Sequence, residues 1–87
     1  MPHIKKIIKV KNKQGLHARP AALFVQVANK FKSAITLKKD NEKVNGKSIM
    51  GILMLGAERG SSVEIEIDGE DANQAILELE TLLLREE

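Results

Sequence analysis

The sequence predicts an α+β fold, a two-layer domain in which helices cover one face of a four-stranded antiparallel sheet. Strand-like and helix-like segments follow one another in the order βαββαβα, counting one short helix before the last strand. The strands place polar residues at alternate positions, as in an antiparallel sheet with one face in water. The length of 87 residues predicts a single domain, 1–87, with a modest core.

The first part of the chain predicts a strand, a helix and a hairpin. Residues 4–10 mix Ile and Val with Lys, which favours a strand, and His3 before them is expected to fray. Residues 34–38 alternate with period two, and residues 42–45 form the short return strand of a hairpin. The helix between them has apolar residues at helical spacing: Ala21, Phe24, Val25, Ala28 and Phe31.

The second part of the chain predicts a short helix, a strand and a long helix. Residues 62–68 alternate cleanly between apolar and acidic side chains. Asp71 is the expected N-cap of the long helix, and Gln74 three residues later suggests a capping box. The predicted inward face of that helix consists of Ala72, Ala75, Ile76, Leu79 and Leu83.

The short helix is unusually apolar. All residues from 49 to 55 except Gly51 are large and apolar, and Ser48 before them is a good N-cap. A helix this short can bury only one side, so some of these side chains are expected at the surface. An exposed apolar cluster usually marks a protein-binding patch.

Composition excludes several classes of protein. Cysteine is absent, so there is no disulfide framework, Cys zinc site or thiol chemistry, and a cytoplasmic location is expected. No apolar stretch is long enough to insert into a membrane. Phe24 and Phe31 are the only aromatic residues, which argues against a nucleic-acid partner bound by base stacking.

The net charge of +2 hides a strong asymmetry along the chain. Residues 1–47 contain twelve basic and two acidic side chains, whereas residues 48–87 contain two basic and ten acidic ones. This division predicts a basic docking face for an anionic partner and an acidic, solvated back. Two ordinary solvated faces are the alternative interpretation.

The segment from Gly15 to Ala22 carries the candidate chemistry. Pro20 is tolerated in the first turn of a helix, so the helix is expected to begin near Ala18 with His17 as its N-cap. Histidine is not a favoured cap, which invites a functional explanation, although a partly packed cap histidine is the alternative. Gly15 allows a backbone conformation that other residues avoid.

The functional explanation is phosphoryl chemistry at the helix start. The backbone N–H groups of Ala18 and Arg19 and the positive end of the helix dipole would bind an anion. The guanidinium of Arg19 adds a permanent cation, and a neutral imidazole at His17 is a nucleophile. A metal site is not expected because His3 is the only other imidazole and no carboxylate has ligand spacing to His17.

The motifs Gly-Leu-His-Ala-Arg-Pro-Ala at residues 15–21 and Lys-Ser-Ile-Met-Gly at residues 47–51 resemble the HPr family of the bacterial phosphoenolpyruvate-dependent phosphotransferase system. The resemblance covers essentially the whole chain and implies a βαββαβα fold, an open-faced β-sandwich. It implies a phosphocarrier rather than an enzyme, with no cofactor: His17 accepts a phosphoryl group on Nδ1 from enzyme I and passes it to sugar-specific IIA components for carbohydrate uptake. Arg19 would support the phosphate.

The resemblance also implies a docking surface and a regulatory site. Ser48 matches a serine that a kinase/phosphorylase modifies in some members of the family, in carbon catabolite control that also involves a transcriptional regulator. A monomer is expected. The implied partner-binding residues are Ala22, Leu23, Gln26, Ile49, Met50 and Leu53.

Three alternatives remain open from the sequence. Met54 and Leu55 make the short helix more apolar than is usual in the family, and residues 5–13 and 38–47 are rich in lysine. These departures allow a nitrogen-related paralogue with the same histidine and regulatory targets. From other classes, a small basic nucleic-acid-binding domain and an adaptor domain that accepts no phosphate remain possible.

Overall fold

The computed structural model describes residues 2–86 and confirms the predicted fold class and element order. A four-stranded antiparallel sheet carries three helices on one face. The elements are β1 (His3–Lys9), α1 (Ala18–Ala28), β2 (Ala34–Lys39), β3 (Glu42–Asn45), α2 (Ile49–Leu55), β4 (Ser62–Asp68) and α3 (Ala72–Leu84).

The strands lie in the order β1-β4-β2-β3, so β4 is enclosed by β1 and β2. Its inward residues Val63, Ile65 and Ile67 are fully buried, whereas its glutamates lie on the opposite face. Alternation along each strand therefore separates a face that packs on helices from a face open to water.

The helices bury the faces that their sequences predict. In α1 the fully buried residues are Ala21, Phe24 and Ala28, whereas the predicted inward residue Val25 is only half-buried against the core. Phe31, which lies just beyond the end of the helix, also belongs to the core. The short helix α2 buries only Ile52 and Leu55. In α3 the five predicted inward residues Ala72, Ala75, Ile76, Leu79 and Leu83 are buried, and Leu82, which was not predicted, is buried with them.

The expectation that His3 lies in a frayed segment is wrong. β1 begins at His3, one residue earlier than predicted, because His3 pairs with Asp68 at the end of β4. The His3 ring Nε2 also lies 2.6 Å from Oε2 of Glu66. Pairing with a central strand therefore orders a segment that has no local signal for order.

The predicted capping box at α3 is also wrong. Asp71 is the N-cap residue, but its side chain makes no hydrogen bond to the helix. The carboxylate instead accepts hydrogen bonds from the backbone N–H of Lys32 at 2.9 Å, and from the N–H and hydroxyl of Ser33. These donors hold the pKa of Asp71 below its usual value, the Ser33 hydroxyl most strongly. Asp71 thus ties the loop after α1 to the start of α3.

The two charged halves of the sequence do not form two opposite surfaces. Since β4 lies between basic strands, its glutamates meet lysines from the other half, as in the Lys43–Glu66 ion pair at 3.3 Å. Two glutamates of α3 likewise pair with Lys6 and Lys30, each at 2.8 Å. The predicted division into a basic docking half and a solvated acidic back is therefore wrong for these side chains.

Within residues 2–86, no helix is both long enough and apolar enough to cross a membrane.

Candidate functional site

The start of α1 places His17 at the surface. Its backbone is extended, with φ −82° and ψ −166°, and its side chain makes no capping hydrogen bond. The N–H of Ala21 donates to the carbonyl of His17 at 2.9 Å, which makes Ala18 the first helical residue. The predicted helix start is confirmed, and the exposed imidazole is not committed to holding it.

The first turn of α1 leaves two backbone donors available. Among residues 2–86, the N–H groups of Ala18 and Arg19 have no acceptor, and Pro20 has no N–H to offer. No acidic residue lies in the first turn, so no carboxylate of α1 itself offsets the positive end of the helix. The two predicted phosphate-binding amides therefore directly follow His17, at the positive end of the helix dipole.

The loop before His17 is held tightly. The N–H of Gly15 donates to the carbonyl of Asn12 at 3.0 Å, and the N–H of Leu16 donates to that of Ala57 at 2.8 Å. Gly15 has φ +75°, and a Cβ added there would lie 2.6 Å from the oxygen of Ala57. Only glycine fits this approach, as the sequence predicts, so the loop fixes where the helix and its histidine begin.

A cleft of about 640 Å³ opens beside His17. Its lining contains three basic side chains, Lys13, Arg19 and Arg85, and no carboxylate. None of the three forms an ion pair within the part of the chain that the structure describes. The cleft is lined by Asn12, Lys13, Gln14, His17, Ala18, Arg19, Pro20, Leu23, Leu82 and Arg85.

Several of these lining residues were not predicted. Lys13 and Gln14 could have been proposed from their closeness to His17 in the sequence. Arg85 could not, because no local pattern relates the end of α3 to a loop near position 12. The fold brings these distant segments together. The positive charge at the cleft therefore cannot be predicted from the net charge of either half of the chain.

A second, smaller cleft of about 360 Å³ links His17 to α2. Leu53 lines it together with Ala18 and the loop that contains Gly56 and Glu58. Sequence reasoning missed Glu58, an exposed carboxylate near the histidine. The two clefts bring Leu23 and Leu53, both predicted partner-binding residues, to the surroundings of His17.

The predicted apolar surface is present on α1 and α2. Met50 is 62% exposed, and Leu23, Ile49 and Leu53 are 37–38% exposed. On α1, Ala22 is half-buried and Gln26 is exposed. Met54, which was not among the predicted partner-binding residues, is 74% exposed, more than any other large apolar side chain within residues 2–86. We define the docking patch as Ala22, Leu23, Gln26, Ile49, Met50, Leu53 and Met54.

Ser48 has the capping role that its position predicts. Its Oγ accepts a hydrogen bond from the N–H of Gly51 at 3.1 Å, and Gly56 ends the helix in a left-handed conformation. Ser48 is half-buried at the border of the docking patch. Over residues 2–86, no group of three His, Asp or Glu side chains is placed to bind a metal ion.

Comparisons with known proteins identify the class to which this fold belongs. Residues 4–84 match the family model described as the PTS HPr component phosphorylation site. The chain is 45% identical over 80 residues to phosphocarrier protein HPr of Neisseria meningitidis serogroup A, covering 92% of this chain and 90% of that protein. The fold matches the crystal structure of phosphocarrier protein HPr from Bacillus anthracis with a TM-score of 0.91 and 44% identity, covering 95% and 99% of the two chains.

A third relative has a different name. The HPr-like protein Crh of Bacillus subtilis is 50% identical over 72 residues, which are 83% of this chain and 85% of that protein. Its crystal structure, described as a domain-swapped dimer of a catabolite repression protein, matches with a TM-score of 0.77, 47% identity and 91% coverage of each chain. The fold and these matches define a small phosphocarrier of the phosphotransferase system. The chain belongs to the HPr family.

Proposed function

We propose that this protein accepts a phosphoryl group on His17 from phosphorylated enzyme I and passes it to sugar-specific IIA components during carbohydrate uptake. Membership of the HPr family supports the class of reaction. The observation that carries the choice of residue is the exposed, uncommitted imidazole beside two available N–H groups and a basic cleft.

The transfer is an in-line displacement between two nucleophiles. The lone pair of the His17 ring nitrogen, Nδ1 in the family, forms the new N–P bond while the bond from phosphorus to the donor atom of enzyme I breaks. The donor leaves with that electron pair. The N–H groups of Ala18 and Arg19 and the guanidinium of Arg19 would offset the charge on the phosphoryl oxygens. In the second transfer a nucleophile of the IIA component forms a bond to phosphorus while the N–P bond breaks, and the electron pair returns to the His17 ring nitrogen. Turnover therefore belongs to the partners, and the protein is a carrier, not an enzyme.

The test is intact mass after incubation with phosphoenolpyruvate and enzyme I. We expect wild type to gain one acid-labile phosphate and His17→Ala to gain none. His3→Ala is the matched control because it removes the only other imidazole, which lies at the start of β1, whereas the loop that leads to His17 follows the end of that strand. Wild type that gains no phosphate, with enzyme I shown to be active, would overturn the proposal.

The docking patch is proposed to bind both enzyme I and the IIA components. An apolar surface beside a basic cleft suits small, transient interfaces with acidic partners. Met50→Lys should raise the concentration of this protein needed for half-maximal transfer. Ile7→Lys is the matched control, since Ile7 is equally exposed, at 67%, on the open face of the sheet. Equal effects of the two substitutions would contradict this surface.

Phosphorylation of Ser48 by a kinase/phosphorylase is proposed as regulation, and a transcriptional regulator is the proposed reader. The similarity to Crh, described as a catabolite repression protein, favours it. A phosphate at the N-cap should not unfold α2, because the helix start favours negative charge, but it would place that charge at the docking patch. Ser48→Asp should therefore accept phosphate from enzyme I more slowly. A rate of phosphate acceptance equal to that of wild type would contradict this proposed regulation.

The similarity to Crh, described as a catabolite repression protein, also favours a second candidate, a paralogue with regulatory targets. The nitrogen-related carrier considered from the sequence is one such paralogue. Transfer from phosphorylated protein to a sugar-specific IIA component distinguishes the two, since only the sugar-uptake carrier should support it. We expect this chain to be a monomer in the cytoplasm. Sedimentation at micromolar concentration tests its oligomeric state.

A further inference from the structure

Asn12 fastens the end of α3 to the loop that leads to His17. It is 3% exposed, and its Nδ2 donates to the backbone carbonyls of Leu82 and Arg85, both at 3.1 Å. The N–H of Lys11 donates to the carbonyl of Leu83 at 2.9 Å. The last carbonyls of a helix have no partners within the helix, so these three bonds form a cap supplied by a distant segment.

The amide of Asn12 comes with a cost. Its Oδ1 is buried and has no hydrogen-bond partner within residues 2–86. An unsatisfied buried acceptor is destabilising, and each such group calls for an explanation. An apolar side chain of the same size would avoid this cost. The presence of asparagine is explained if its two Nδ2 hydrogen bonds hold a functional residue in place.

What they hold is the backbone of Arg85 at the wall of the cleft beside His17. Arg85 and Asn12 line that cleft together with Arg19. The Arg85 side chain is exposed and forms no ion pair within the described part of the chain. Its guanidinium is therefore available to an anion that enters the cleft.

We propose that Arg85 is a second cation for the phosphoryl group on His17, and that Asn12 is the positioning residue that holds Arg85 there. The inference rests on the proposed phosphocarrier function. Arg19 comes from the first turn of α1 and Arg85 from the end of α3, so the two guanidinium groups approach the cleft from different elements. Two forked cations can bind different phosphoryl oxygens as the N–P bond forms at His17 and the bond to enzyme I breaks.

The first experiment measures single-turnover transfer from phosphorylated enzyme I as a function of protein concentration. Arg85→Ala should lower the maximal rate about tenfold, the size expected from loss of one partly exposed charge-assisted hydrogen bond. Arg85→Lys should recover most of the rate, because it keeps the charge. Lys38→Ala is the matched control: it removes one positive charge from the open face of the sheet and should leave the rate unchanged.

The measurement separates a contact with the phosphoryl group from steering of the partners. Steering would change only the concentration dependence, and its effect would disappear as salt screens it. A contact lowers the maximal rate, and the deficit persists in salt. A deficit of Arg85→Ala that is confined to low salt, or a maximal rate within about twofold of that of Lys38→Ala, would overturn the proposal.

The second experiment tests whether Asn12 acts through Arg85. Asn12→Leu removes both Nδ2 bonds at similar volume, and we expect a maximal rate about fivefold lower; circular dichroism confirms that the variant is folded. In the Arg85→Ala background the same substitution should have little further effect. Multiplication of the two single effects would show that Asn12 has only a structural role, contradicting the inference.

The outcomes keep the two proposals apart. If wild type accepts no phosphate, the proposed function fails before Arg85 is tested. If wild type accepts phosphate on His17 and Arg85→Ala has the same maximal rate of transfer, only the inference about Arg85 fails. Because Arg85 is exposed at the end of a helix, its variants should fold even where Asn12→Leu does not.

Discussion

The starts of α1 and α2 are built in opposite ways. At α2 the hydroxyl of Ser48 accepts a hydrogen bond from the N–H of Gly51 and closes the first turn. At α1 the side chain of His17 makes no capping bond, and the N–H groups of the first turn stay available. The first turn of α2 is thus capped by a side chain, whereas the first turn of α1, beside the basic cleft, is not.

The difference shows where each helix obtains its stability. With only seven residues, α2 is too short to be stable alone and benefits from its N-cap and its left-handed C-cap at Gly56. With eleven residues and a fully buried face, α1 can dispense with a cap. Its starting point is fixed instead by the loop that contains Gly15. The start of α1 can therefore have free backbone N–H groups and still be fixed in position.

The largest expected effect tests whether the loop does fix the start of α1. Gly15→Ala should lower the free energy of unfolding by about 2–4 kcal/mol, because a left-handed alanine is strained and its Cβ collides with the carbonyl of Ala57. Gly60→Ala is the control: Gly60 also has positive φ, +89°, but an added Cβ would meet nothing within 4 Å. Its cost should be about 1 kcal/mol, from strain alone. Equal costs in urea denaturation would contradict the role of the loop.

The next effect compares the two caps directly. Ser48→Ala should cost about 1 kcal/mol of stability, the usual cost of losing a side-chain N-cap. His17→Ala should cost close to nothing, since no capping bond is lost. Denaturant unfolding of both variants measures the contrast. Similar costs would show that His17 stabilises the helix start in some other way.

A smaller effect, of opposite sign, comes from closing the open start. His17→Ser introduces a favoured cap and should raise the free energy of unfolding by about 0.5 kcal/mol. The same variant should accept no phosphate. The combination would show that stability is given up at this position in favour of chemistry, whereas a destabilised variant would weaken that interpretation.

The smallest effect concerns the third helix start, where the carboxylate of Asp71 binds the loop at Ser33. Because hydrogen bonds from Ser33 and Lys32 lower its pKa, its contribution is present above the pKa of the unfolded chain and is lost as pH falls through the lower folded value. Wild type should therefore lose more stability on acidification than Asp71→Asn. Melting temperatures measured from pH 6 downward test this, and parallel pH profiles would contradict it.

Local patterns in the sequence were enough to predict most of the fold. Alternation in β4 and helical spacing in α1 and α3 each arise from neighbouring residues, so they are readable before any tertiary contact is known. The errors came from distant partners. His3 is ordered by β4, and the carboxylate of Asp71 turns to a loop 38 residues away.

The candidate site was predictable in the same partial way. The motif around His17 and the cap at Ser48 are local and were identified. Arg85 and Glu58 reach the site through the fold, and no spacing rule connects them to His17. The charge total of each half was misleading for the same reason, since the sheet places acidic β4 between basic neighbours.

The cleft beside His17 is lined by the loop at residues 12–14 and the start of α1, and also by residues 82 and 85 at the end of α3. During synthesis the histidine and α1 therefore leave the ribosome long before the end of α3. β1, too, must wait for β4 before it has a neighbouring strand. A chain that has grown only as far as β4 would display His17 with Lys13 and Arg19 beside it but without Arg85, so the cleft is complete only after α3 has docked.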